Sequence, residues 1–294
     1  LVRGRAMTAA ITIHFRDAML TARCLDSLLA DGWWPVLVWD NSADEGRSLR
    51  TLAARYAGEP RVQFVDNPVN LGFGKGMNAA LVELSRRGYA GPVLLVNNDA
   101  EVLPGMRAAL LAALPRDSTV PALVAPRILQ DGQVQGWWYY QRWLALVTRR
   151  PLPGSVAYLS GCCLLVRRVD NAAPLFDEDF FMYGEDVELS WRWRRQGGAL
   201  VLLEESWLHH AGSASSGQAS AAYERFLVGS HWLLARKLAD GLLQSVLMRL
   251  LRIPSLTLRA ALRSLRYRSW IPLRSLDQLF KRSSILPMSQ EARR

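Results

Sequence analysis

Four groups of residues in this chain have types and spacings that could do chemistry. Asn97-Asn98-Asp99 closes a short apolar run. A carboxylate there can bind Mg2+ or Mn2+, hard ions that take oxygen ligands and can bridge a diphosphate while keeping several waters; the same residues also form ordinary turns at strand ends. The stretch from Phe176 to Asp186 packs five acids, Asp177, Glu178, Asp179, Glu185 and Asp186, among Phe176, Phe180, Phe181, Met182 and Tyr183. Acids after Gly184 suit a helix start. Five of them beside large apolar groups carry a desolvation cost that raises a carboxylate's pKa and fits a general base. His209-His210, followed by Gly212, Ser213, Ser215 and Ser216, could complete a metal site or touch a phosphate, or be a plain surface pair. The loop from Asn70 to Asn78 carries glycines at 72, 74 and 76. It suggests phosphate contact but fits neither the P-loop nor the GxGxxG spacing.

These groups need a frame, and the first hundred residues supply one. Short apolar runs at 9–15, 35–39, 62–65 and 93–96 alternate with amphipathic stretches at 17–30, 48–56 and 76–87, the pattern of βαβ units and a mostly parallel sheet. Leu20, Cys24, Leu25 and Leu28 fall on one helical face. Polar clusters follow three of the strands: Asp40-Asn41-Ser42, Asp66-Asn67 with Asn70-Leu71-Gly72, and Asn97-Asn98-Asp99. In an open α/β sheet that carboxyl edge is where ligands bind. Further on, strands are expected at 122–128, 157–167 and 199–204, a helix at 185–196, and a polar loop at 207–216. Trp137, Trp138, Tyr139, Tyr140 and Trp143 form an aromatic stretch, of which Trp137, Trp138, Tyr139 or Tyr140 could stack on a ring-shaped ligand or simply pack.

Composition narrows the class. The 294 residues are 50% hydrophobic, enough to bury a sizeable core. Cys24, Cys162 and Cys163 form no disulfide or zinc framework, which points to a reducing cytoplasm. Residues 1–10 lack a signal-peptide apolar region, and Met7 fits a natural start. The formal charge is +10, and residues 223–294 hold 14 of the 36 Lys and Arg but only 4 of the 26 Asp and Glu. The body is therefore neutral and the tail cationic. Its charges are interleaved with Leu, Ile, Val, Trp and Met, which suits an anionic membrane surface better than nucleic acid. The tail reads as amphipathic helices broken at Pro254 and Pro272, with no apolar run long enough to span a bilayer.

In order and spacing, the clusters between residues 9 and 216 resemble the family 2 glycosyltransferases, in particular the rhamnosyltransferase-like branch that builds bacterial cell-surface polysaccharides. The resemblance implies a GT-A fold: an α/β domain with a mostly parallel Rossmann-like sheet flanked by helices. It would occupy residues 1–222, nucleotide-binding over about 9–118 and acceptor-binding over about 119–222, with 223–294 as a basic amphipathic helical extension. It implies donor contacts from Asp40, Asn41, Asn70, Gly72, Asn78 and Asn98. Asn97-Asn98-Asp99 stands where the family has Asp-x-Asp, leaving Asp99 as the principal metal carboxylate, and a downstream His, with His209 preferred over His210, as a further ligand of Mg2+ or Mn2+. The Gly161 to Arg168 stretch and the Phe176 to Leu189 stretch match family strands and signature. Asp186, beside Glu185, is the implied base, and Trp137, Trp138 and Tyr183 the implied acceptor contacts.

The expected activity is inverting transfer of a sugar from a nucleotide diphosphate to a saccharide or lipid-linked acceptor. dTDP-rhamnose is the favoured donor and UDP-sugars are second. The site of action would be the cytoplasm, at the inner face of the cell membrane. A non-catalytic sugar-nucleotide-binding scaffold is the rival reading, and a nucleic-acid-binding protein a more distant one.

Overall fold

The chain begins as three successive crossover units: β1 (Ala9–His14), α1 (Ala18–Ala30), β2 (Val36–Asp40), α2 (Arg47–Arg55), β3 (Val62–Val65), α3 (Phe73–Arg86) and β4 (Val93–Asn97). The structure is a computed structural model and describes residues 7–168, 173–210 and 220–280. β3, β2, β1 and β4 lie side by side and parallel, so their carboxyl ends share one edge. Successive side chains of a strand point to opposite faces. Ala10, Val36, Val38, Leu94 and Val96 therefore enter a core closed by Cys24, Leu25 and Leu28 of α1 and Leu49 and Leu52 of α2. Ala9, Ile11, Leu37 and Leu95 enter the opposite core, closed by Met77, Ala80 and Leu84 of α3. Each fully buried Leu contributes about 2 kcal/mol relative to exposure. Asp17 starts α1 by accepting from the Leu20 amide at 2.8 Å.

The second half adds β5 (Ala100–Val102), α4 (Met106–Ala112), β6 (Ala122–Gln130), β7 (Gln133–Gln135), β8 (Trp138–Gln141), β9 (Leu146–Thr148), β10 (Ser155–Tyr158), β11 (Cys163–Arg167), α5 (Glu185–Arg195) and β12 (Ala199–His210). β11 enters antiparallel between β4 and β6, and β12 runs parallel to β6 with β5 antiparallel at the edge. The order is β3-β2-β1-β4-β11-β6-β12-β5, with β7 pairing β6. β10, β8 and β9 make a separate antiparallel sheet. All three cysteines are free and buried.

Three expectations change. The strand expected over 157–167 is two strands in different sheets, β10 and β11, because the chain turns at Gly161 and Cys162. The loop expected from 207 is strand as far as His210, since β6 and β5 pair with β12 on both sides; Gly212, Ser213, Ser215 and Ser216 lie outside the described residues. The tail forms α6 (Ala221–Lys237), α7 (Leu242–Tyr267) and α8 (Ile271–Arg274), followed by a 3-10 turn over Ser275–Leu279. Pro254 does not break α7. Met248, Arg252, Leu256 and Ala260 are buried on either side of it, and their packing holds the axis against the missing hydrogen bond. Val228, Leu233 and Leu234 of α6 and Leu256 of α7 share a core with Phe180, Val187 and Tyr140. The C-terminal helices are thus built into the rest of the molecule.

Candidate active site

The carboxyl edge of the sheet opens into a cavity of about 290 Å³. Asn41, Asn70, Gly72, Asn98, Asp99, Tyr183, Glu185, Asp186 and His210 all line it. Asp99 and Asp186, 87 positions apart in the chain, thus face a common space. A larger cavity of about 680 Å³ borders the outer side of α3, lined by Trp39, Lys75, Asn78, Tyr89 and Glu178 among others, and includes neither Asp99 nor Asp186.

Glu185 and Asp186 occupy the first turn of α5, where the helix dipole favours carboxylates. The chain reaches that turn through two positive-φ residues, Tyr183 (φ 68°) and Gly184 (φ 86°). Asp186 Oδ2 accepts from the Gly161 amide at 3.2 Å and Oδ1 from the Val187 amide at 2.9 Å. Burial raises its pKa, and these amide bonds oppose the rise. Glu185 is 7% exposed, and its Oε2 has no hydrogen-bond partner. Burial, reinforced by the neighbouring Asp186 carboxylate, pushes its pKa up to about 8. The amide donors favour the charged form of Asp186, whereas Glu185, with no donor on its Oε2, favours the neutral acid.

The other three acids of the stretch serve differently. Asp177 and Asp179 pair with Lys237 Nζ at 2.5 and 2.6 Å, and Asp179 pairs with Arg236 at 2.7 Å. The hydrogen bond from Lys237 leads the effects that hold the Asp179 carboxyl below its ordinary range. Glu178 accepts from Asn78 Nδ2 at 3.1 Å. These three fasten the loop to α6 and α3, and the burial that raises a carboxyl's pKa acts on Glu185 and Asp186.

The donor-side residues divide in the same way. Asn41 Nδ2 donates to the Gly72 carbonyl at 2.8 Å, and Gly72 (φ 78°) lies so close to Phe181 that a Cβ would collide with its carbonyl oxygen. The Phe73 amide donates to that same oxygen at 2.9 Å, joining the glycine loop to the acidic loop. Asn78 is turned away from the smaller cavity: its Nδ2 donates to the Phe176 carbonyl at 2.9 Å, and its Oδ1 accepts from the Phe176 amide at 3.0 Å. Asp40 is fully buried and is not among the lining residues. Its Oδ1 accepts from the Ser42 amide at 2.9 Å, and its Oδ2 has no partner. Asn98 Nδ2 donates to Thr21 Oγ1 at 3.0 Å.

The expected ligand His209 and its neighbour His210 are placed differently. His209 is exposed, whereas His210 Nε2 lies 3.1 Å from Asp99 Oδ1. In the tautomer that donates from Nδ1 to Gln130 Oε1, 3.1 Å away, the His210 Nε2 lone pair is directed at Asp99. Two facing acceptors fit a shared cation, with Gln130 orienting the ring. Among the described residues no group of three or more His, Cys, Asp or Glu converges. The donor set, a carboxylate and an imidazole, would suit an ion such as Mg2+ or Mn2+.

Trp137 and Trp138 are not at the cavity. Trp137 packs on the α3 side of the sheet, and Trp138 on the core shared with α6, with Arg149 over its ring at 5.5 Å. Tyr183 does line the cavity and meets Tyr223 of α6 edge to face at 5.2 Å. One connected group escaped sequence reasoning. His14 at the end of β1 joins Thr21 (2.8 Å) to Ser48 (3.0 Å), and Ser48 reaches Ser42 at 3.1 Å, linking the Asn98 and Asp40 strand ends. Its position on the same carboxyl edge was the available signal. Burial lowers the His14 pKa, with partial opposition from Asp40.

Comparison with known proteins identifies the family and the fold. The family model "Glycosyl transferase family 2" matches residues 9–172. The N-acetylglucosaminyl-diphospho-decaprenol L-rhamnosyltransferase of Mycobacterium tuberculosis (strain CDC 1551 / Oshkosh) is 30% identical over 218 residues, 64% of this chain and 70% of that protein. Among solved structures, the mannosyltransferase PcManGT from Pyrobaculum calidifontis, in complex with GDP-Man and Mn2+, superposes with a TM-score of 0.55 at 14% identity, covering 95% of this chain and 87% of that one. GalNAc-T7 with UDP, GalNAc and Mn2+ gives 0.56 at 15% identity over 76% of this chain; the chain spans 47% of its length. These likenesses show the GT-A fold. With the family model covering more than half of its residues, the chain belongs to glycosyl transferase family 2, as a rhamnosyltransferase-like member.

Proposed function

We propose that this glycosyltransferase is inverting and divalent-metal-dependent, and moves a sugar, rhamnose before others, from a nucleoside diphosphate to a saccharide carried on a lipid. dTDP-rhamnose is the preferred donor and a UDP-sugar the second choice. The observation that carries the reading is that Asp99 and Asp186 line one cavity. The mycobacterial relative, named for a diphospho-decaprenol acceptor, supports the lipid-linked class. The place of action that follows is the cytoplasmic face of an anionic membrane.

In this mechanism the donor diphosphate lies near Asp99 and His210, with Asn41 and Asn70 beside the nucleotide and Asp40 behind them. A divalent ion held by Asp99 and His210 would supply Lewis-acid stabilisation of the diphosphate leaving group. Asp186, charged and fixed by the Gly161 and Val187 amides, accepts the proton of the acceptor hydroxyl. The new bond from acceptor oxygen to anomeric carbon forms as the bond to the β-phosphate oxygen breaks. A single displacement of this kind inverts the anomeric centre and releases a nucleoside diphosphate. Glu185, protonated, adds no second charge to repel the diphosphate.

The test is a thermal-shift screen of nucleotide sugars with and without Mn2+, followed by analysis of the transferred linkage. A metal-dependent shift with one donor and an inverted product support the reading. Donor binding with no turnover on any lipid-linked or soluble saccharide would instead indicate a sugar-nucleotide-binding scaffold.

A further inference from the structure

α7 presents two faces of opposite character. Ser245, Met248, Arg252, Leu256 and Ala260 are buried toward the rest of the molecule. On the other side Leu243, Leu247, Leu250, Leu258, Leu262 and Leu265 recur at helical spacing and stand 44 to 77% exposed, with Pro254 in the same row. At 1.5 Å per residue the 26-residue helix is roughly 39 Å long, so this is an extended apolar stripe rather than scattered leucines. No described element covers it. A soluble surface rarely leaves so continuous a patch free, and such patches mark an interaction.

The charges beside the stripe select its occupant. Between residues 242 and 280 there are seven Arg and a single acid, Asp277. Arg266, Arg268 and Arg274 are exposed, and no ion pair to them occurs among the described residues. Trp270, 72% exposed, follows at the C-terminal end of the helix. An apolar stripe flanked by unpaired cations and an exposed Trp is complementary to the interface of an anionic bilayer. A second copy of this chain would bring the same cations to the joint. No described helix is long and apolar enough to cross a membrane.

We infer that the outward face of α7 is a docking surface that lies in the headgroup region of an anionic lipid bilayer. It is held rigidly to the cavity through α6. Arg263 of α7 donates to Glu224 Oε1 and lies over the Tyr223 ring at 5.3 Å, and Tyr223 meets the cavity residue Tyr183. Ser230 Oγ donates to the Met182 carbonyl at 2.9 Å, and Phe226 stacks on Phe181 at 4.8 Å. Docking therefore brings the bilayer to the side of the cavity formed by Met182 and Tyr183, and the acceptor arrives there from the lipid. This last consequence rests on the transferase reading above; the docking does not.

The experiment is flotation of the full chain with vesicles of phosphatidylcholine alone or mixed with phosphatidylglycerol. The chain is compared with L250Q/L258Q/L262Q and R266S/R268S/R274S. These positions are exposed and Gln suits a helix, so thermal unfolding of the leucine variant should match the parent. The parent should float with phosphatidylglycerol vesicles and far less with phosphatidylcholine. The leucine variant should lose at least tenfold in bound fraction at every salt concentration. The arginine variant should lose binding mainly at low salt. Equal flotation of parent and leucine variant overturns the inference, as does a parent that ignores vesicles and sediments as a dimer which the leucine changes dissolve. Because flotation needs neither donor nor turnover, its outcome is independent of whether the transferase reading stands.

Discussion

His210 Nε2 meets Asp99 Oδ1 at 3.1 Å because β12 pairs antiparallel with β5 in a register that sets His210 opposite Ala100, one residue beyond Asp99. The adjacent His209 lies opposite Glu101 and is exposed. The two histidines are therefore a matched pair of variants. His210→Ala should raise the Mn2+ concentration for half-maximal transfer by about 10-fold or more, while His209→Ala leaves it near the parent value. Equal effects of both changes in a metal titration would remove His210 from the metal site.

Asp186 is expected to act on the proton rather than on the donor. Asp186→Asn keeps an acceptor oxygen for the Gly161 amide but not the basicity, so transfer should fall by about 100- to 10,000-fold. The donor-induced rise in melting temperature should persist. Comparable turnover by the variant and the parent, measured as nucleoside diphosphate release, would place the base elsewhere.

The raised pKa of Glu185 has a consequence for stability. The unfolded carboxyl releases its proton near the ordinary value of 4.5, while the folded one holds it to about 8. Between those values the native state binds the extra proton, so its contribution is fully present below 4.5 and is lost as pH rises toward 8. Glu185→Gln keeps the neutral form, and its stability relative to the parent should improve steadily from pH 5 to pH 8. Urea unfolding midpoints at several pH values check this; a constant difference across the range contradicts a raised pKa.

Gly72 and Asn78 join the glycine loop and α3 to the acidic loop. Gly72→Ala places a Cβ against the Phe181 carbonyl at a positive φ and should displace the loop, cutting transfer at least tenfold. Asn78→Ala leaves the buried Phe176 amide and carbonyl unpaired and should cost about 2 kcal/mol in chemical denaturation. If Asn78 instead acted only on the donor, the variant would lose donor affinity and keep parental stability.

Much of this arrangement was legible in one dimension. Apolar runs separated by amphipathic stretches define βαβ units, and parallel strands necessarily deliver their carboxyl ends, with Asp40 and Asn97 to Asp99, to one edge. Gly184 followed by Glu185 and Asp186 likewise marked a helix start.

What remained open depended on partners distant in the chain. Strand parity does not say which of two adjacent histidines faces inward; the pairing of β12 with β6 and β5, including its register shifts, decides that. Five acids in one stretch look alike until Lys237, Arg236 and Asn78 claim three of them and leave Glu185 and Asp186 to the cavity. Trp137 and Trp138 read equally as ligand contacts or as packing, and only the folded chain shows the cores against which both pack. A residue's periodicity carries its secondary structure, but its environment, and with it its charge and reach, is set by neighbours that only the folded chain supplies.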